Sequence, residues 1–137
     1  MALALTVAAL PAIAQDEKDE PKPYTIYMFG FARSFTDSIA YQTQICTVDS
    51  AYLNKYGFLV DRTLYSLQLQ YHIETAGNKN AICSVFFDKK PSRLKRKWAK
   101  VQKRHKQTAD LKYREIPLSE FTFKAEEYRP IIMEESK

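Results

Sequence analysis

Glycine is scarce in this sequence: Gly30, Gly57 and Gly77 are all there are in 137 residues. A phosphate-cradling loop of the G-x-x-x-x-G-K or G-x-G-x-x-G kind cannot be assembled from them. The G-x-S-x-G elbow of a serine hydrolase and the H-E-x-x-H helix of a zinc protease are missing too. Two histidines and two cysteines, the latter without C-x-x-C spacing, give no zinc signature, so neither metal nor cofactor is expected. Apolar runs are short, and none approaches the roughly 20 residues that a membrane-spanning helix requires. Acid is absent where it would matter most. From Lys89 to Lys106, KKPSRLKRKWAKVQKRHK, ten of eighteen residues are Lys or Arg, and no Asp or Glu interrupts them.

That stretch is the strongest signal in the chain. At about 100° per residue, Leu94, Trp98, Val101 and His105 fall within an arc of roughly 60°. The spacing predicts a helix from about Ser92 to Thr108 with a narrow apolar seam and positive charge around the rest. Pro91 is acceptable only in its first turn, and Ser92 or Asp88 could cap it. The whole chain carries +5, so the residues outside the stretch are net acidic. The basicity is a local surface feature, to be explained as such.

The first fifteen residues, MALALTVAALPAIAQ, are uncharged and end in a small-x-small Ala12-Ile13-Ala14 pattern. They read as a secretory signal peptide, residues 1–14, though the usual positive n-region is missing. No Cys adjoins the cleavage site, which speaks against a lipid-anchored lipoprotein. The expected location is exported: periplasmic, outer-membrane-associated or extracellular. In such a compartment Cys46 and Cys83 could form a disulfide, or remain two buried thiols on separate strands.

Residues 15–23, charged and proline-bearing, read as a flexible lead. Tyr24 to Phe31 form an apolar, β-preferring run in which Gly30 suggests a bulge or a close backbone approach. Ser38 to Val48 alternate with a period of two, so the two runs make a plausible antiparallel hairpin. Asp49 and Gly57 bracket a short helix, and Asp61 and Gly77 a longer one. On the longer helix Val60, Leu64, Leu67 and Tyr71 share one face, while Tyr65, Leu69 and Ile73 form a second stripe. Apolar on two sides, that helix is expected to be well buried. Ala81 to Phe87 is a buried strand, and Phe121-Thr-Phe123 alternates as a strand does. The expectation is one α+β domain over 24–124: a single sheet of about four mainly antiparallel strands, with two or three helices packed on one face. Residues 125–137, with the apolar triplet Ile131-Ile132-Met133, form either a loosely held tail or a docking peptide.

The stretches FGFARSFTDSIAYQTQ and FLVDRTLYSLQLQYH, with the closing FTF, resemble a group of small exported proteins from Bacteroidota. The resemblance covers most of the mature chain, Tyr24 to Phe123. It implies an envelope or secreted location and brings no reaction, cofactor or active site with it.

Three functions compete. A non-enzymatic, envelope-associated interaction protein would dock Lys95, Arg96, Lys97, Lys100, Lys103 and Arg104 on an anionic surface: an acidic protein partner, lipopolysaccharide or anionic lipid. An ordinary solvated helix face is the plain alternative, but such faces mix signs. A small secreted hydrolase-like enzyme could use polar residues near Asp37 and His72, with the polar hairpin turn as its loop. Nucleic-acid binding would want stacking aromatics beside the charge, whereas Trp98 is predicted to face the core; export also speaks against it.

Overall fold

The computed structural model describes residues 20–129. The expected signal peptide and the Ile131-Ile132-Met133 triplet lie outside them. The chain forms an α+β arrangement of one mixed five-stranded sheet and two helices: β1 (Lys22–Ser34), β2 (Ile39–Thr43), β3 (Cys46–Leu53), α1 (Arg62–Thr75), β4 (Ala81–Asp88), α2 (Pro91–Lys106) and β5 (Lys112–Ile116).

Thirteen-residue β1 is the axis of the sheet. One of its edges pairs with β4; the other pairs with β3 along its first half and β2 along its second, all antiparallel. β2 and β3 thus lie end to end, parted only by Gln44 and Ile45. At that break Thr43 Oγ1 accepts the Gly30 backbone N–H at 2.8 Å. The sheet is therefore four strands wide although it has five strands. β5 closes it by pairing with β2 in parallel. The single strand predicted from Ser38 to Val48 is this interrupted pair. The short helix predicted after Asp49 is absent: β3 continues to Leu53, and Asn54 Oδ1 accepts the Tyr56 and Phe58 backbone N–H groups in a tight turn. β1 also begins at Lys22, inside the expected lead.

Alternation along β1 sends its side chains to two different cores. Ile26, Met28 and Ala32 face α1, whose Tyr65, Leu69 and Ile73 are fully buried against them. Burial of this kind stabilises by roughly 1.5–3 kcal/mol per large side chain. Gly30 sits among them because nothing larger fits: a Cβ there would lie 2.6 Å from Leu69 Cδ2 and 2.8 Å from Phe123 Cζ. Phe29 and Phe31 point the other way. Phe29 stacks on Phe86 of β4 at 4.8 Å, and Phe31 lies 4.1 Å from the His105 ring of α2. The helices therefore cover opposite faces, not one. The physical reason is that α2 carries an apolar seam of its own, and the odd-numbered aromatics of β1 supply a surface for it.

On the first face a strap completes the cover. After β5 the chain turns at Pro117 and runs back beside α1, burying Phe123 and packing Phe121 at the edge of the core. Gln68 bonds the Lys124 backbone twice, at its N–H and its carbonyl, and the Glu126 N–H donates to Tyr65 Oη. The predicted FTF strand is thus a side-chain anchor held by α1, while the fifth strand lies just before it. Tyr128 rests on Tyr52 of β3 at 5.3 Å.

Cys46 and Cys83 are both free thiols. They stand opposite Met28 and Ala32 on different edges of β1. Two strand spacings and four residues of rise put them far beyond the roughly 7 Å Cα separation a disulfide tolerates. Burial pushes the Cys83 thiol up to about 11 and also raises Cys46, where the Phe123 backbone partly opposes it.

Candidate functional site

α2 forms because fourteen of its sixteen residues are neither proline nor β-branched. Pro91 occupies the first turn, where its missing N–H costs nothing. Asp88 organises the entrance: its Oδ1 accepts the Lys90 backbone N–H at 2.8 Å and pairs with Arg93 at 2.9 Å. The Arg93 guanidinium holds the Asp88 carboxyl below the usual carboxylate range. The seam lies where the spacing placed it. Leu94 is buried, and Trp98, Val101 and His105 are half-buried. Two polar ties lock the helix to β2: Trp98 Nε1 donates to the Thr43 carbonyl at 2.8 Å, and Gln42 Nε2 donates to the Trp98 carbonyl at 3.0 Å. Gln42 is fully buried, and Tyr113 of β5 donates to its Oε1 at 2.7 Å.

This anchoring fixes which way the charges point. Lys95, Arg96, Lys97, Lys100, Lys103 and Arg104 are all exposed, spread over the arc opposite the seam. Among the described residues, the ion pairs join this helix to one carboxylate only, Asp88. Glu115, the nearest acid on β5, is bonded to Gln44 and Gln102 instead. Lys97 and Lys106 lie over the Phe86 and Tyr113 rings, at 5.7 and 5.3 Å. At the C-terminal turn, Lys103, Arg104 and Lys106 are favoured by the helix dipole. The centre has no such relief, and the Arg96–Lys100 and Lys100–Arg104 pairs repel at helical spacing. The result is a cationic ridge on a rigid base.

Asp37 and His72 are not brought together. Asp37 sits in the β1–β2 turn, its backbone N–H donating to Ser34 Oγ. His72, on α1, is hydrogen-bonded to Glu120 at 2.8 Å, and Arg114 of β5 reaches the other oxygen of the same carboxylate at 2.6 Å. Arg114 first, then His72, holds Glu120 below the usual carboxylate range. This three-residue network spans residues too far apart for sequence spacing to reveal. It borders an open groove of about 580 Å³ between α1 and the strap, lined by Tyr71, Thr75, Phe121 and Lys124 among others. Leu64, Leu67 and Tyr71, expected to be buried, are 41, 48 and 71 % exposed on the outer side of α1. Of that stripe, Tyr71 lines the groove beside the strap, while the other stripe, Tyr65, Leu69 and Ile73, is the one turned to the sheet. No group of three or more metal-ligating side chains occurs among the described residues.

No protein family, curated protein or solved structure matches the chain.

Proposed function

We propose that this protein is a non-enzymatic, exported, envelope-associated interaction module that docks through α2 on an anionic surface. The observation carrying this reading is the ridge of six exposed Lys and Arg residues, on a helix whose ion pairs among the described residues reach a single carboxylate and whose opposite side is hydrogen-bonded to the sheet. A flexible basic tail would have to be ordered on binding; here the charges are already arrayed, which lowers the entropy lost in docking. Each cation near an anionic surface contributes on the order of 1 kcal/mol, and a ridge of six sums to useful affinity without a pocket. Trp98 supports this reading over nucleic-acid binding, because its indole is committed to Thr43 and is not offered for base stacking. The hydrolase reading loses support from the separation of Asp37 and His72 into different hydrogen-bonded groups.

The test is replacement of Lys95, Arg96, Lys97, Lys100, Lys103 and Arg104 by Gln. Binding to native envelope preparations should fall by at least about a hundred-fold with the fold intact by circular dichroism. Unchanged binding would rule the reading out.

A further inference from the structure

The helix does not cover the whole face on which it lies. α2 reaches its last turn at Lys106, with His105 over Phe31. In the β1–β4 register Phe31 pairs with Ser84, and the next pair on this face is Arg33 with Ile82. Ser84 is exposed, and Ile82 is 66 % exposed on a strand whose alternate side chains are in the core. One step past β1, in the tight turn, Phe35 is 65 % exposed. The Arg33 guanidinium lies 5.1 Å from the Phe35 ring centroid, and its Nε, though buried, has no hydrogen-bond partner. Register and this cation–π contact therefore make Phe35, Arg33 and Ile82 one patch. It lies beside the flank of α2 that faces β4, since Arg93 pairs with Asp88 and Lys97 lies over Phe86. Lys100 and Arg104 occupy the same flank by helical spacing, one and two turns beyond Lys97.

Resting on the docking reading above, we infer that the anionic surface is a lipid bilayer, with Phe35 and Ile82 entering its interfacial region while Lys97, Lys100 and Arg104 contact the headgroups. Apolar and cationic groups side by side are what an anionic membrane interface accommodates, because acyl chains and phosphates lie within a few ångströms of each other there. Shape favours a bilayer over an acidic protein. A protein partner needs about 800 Å² of matched surface per side, whereas the apolar part here is a turn tip and one strand residue. A fluid bilayer conforms to such a convex feature. Asp37 is in the same turn and opposes binding, but it is outnumbered by Arg33 and the flank of α2.

The test uses the intact protein and vesicles of phosphatidylcholine, alone or with about one-third phosphatidylglycerol, with heparin as a soluble polyanion. The parent should sediment with the anionic vesicles only. Phe35→Ser combined with Ile82→Ser should weaken that binding about ten-fold while leaving heparin affinity unchanged. A Phe35→Trp variant should shift its emission to the blue on anionic vesicles and be quenched by brominated acyl chains. Both positions are exposed, so folding is checked directly by thermal unfolding. If the double variant binds vesicles like the parent, or the Phe35→Trp reporter stays unquenched, the lipid inference is overturned while docking by α2 stands. If the parent binds heparin and envelope proteins but no vesicles, it is overturned in favour of a protein partner. If the six-position Gln variant keeps full vesicle binding, the docking reading itself fails.

Discussion

The two helices lie on opposite faces of one sheet and are held there by different physics. α1 is neutral in character and buries Tyr65, Leu69 and Ile73 in the larger core, with Gly30 cleared to let Leu69 approach the β1 backbone. α2 buries only Leu94 completely and depends on two hydrogen bonds to β2 and on the half-buried Trp98 and His105. One helix gives up its side chains to the fold; the other keeps its long ones outside. The difference teaches that α2 is attached firmly enough to be aimed, yet contributes less to stability than a sixteen-residue helix could.

The sharpest way to break this comparison is to remove one core leucine from each helix. Leu69→Ala should cost about 3–4 kcal/mol and Leu94→Ala about 2–3 kcal/mol in denaturant unfolding. Equal costs would mean that α2 is as much a part of the core as α1. Gly30→Ala comes next, at about 1–2 kcal/mol, because the new methyl meets Leu69 Cδ2 and Phe123 Cζ. In a double-mutant cycle Leu69→Ala should relieve part of that cost; strict additivity would show that the close approach is not the cause. The smallest effect concerns the carboxylates that serve the two faces. Glu120, below α1, and Asp88, at the start of α2, are both held low by arginines. A folded-state pKa below the unfolded one contributes stability above the ordinary carboxylate range, and the contribution is lost as pH falls through the depressed value. Arg114→Gln should return the Glu120 titration upward, and Arg93→Gln that of Asp88, as read by carboxyl carbon shifts in NMR. No movement would sever the arginines from the shifts.

Much of this architecture was legible in the residues, for reasons that also explain the failures. The seam of α2, the end of α1 at Gly77, the strand from Ala81 and the close approach at Gly30 are all set by local periodicity or by one residue's steric freedom, whereas Asp61 stands at the start of α1 in a left-handed conformation without the side-chain cap expected of it. The helix expected after Asp49 failed because an Asp and a Gly at helical distance also suit a strand followed by an Asn-capped turn. Leu64, Leu67 and Tyr71 were expected to be buried because periodicity registers an apolar stripe without saying whether anything covers it. The assignment of both helices to one face failed for a related reason. A nearly continuous apolar run such as Tyr24 to Phe31 announces a strand buried on both sides, but only the location of α2 says what fills the second side. The cationic ridge was visible residue by residue; the Phe35, Arg33 and Ile82 patch was not, since it exists only through the β1–β4 register.

The parallel pairing of β5 with β2 carries a consequence for the order of events during folding. Ile39 pairs beside Lys112, more than seventy residues downstream, whereas β1 meets β2 across a short turn and β3 at separations of 18 to 31 residues. Loop closure makes the distant pairing the slower one. As the chain is made, β1 to β4 can assemble while the outer edge of β2 still presents unsatisfied amides, and α2 is synthesised before the strand that seals it. The edge that β5 covers is also where Gln42 meets Tyr113, so the strand made last completes the hydrogen bonding beneath the cationic helix.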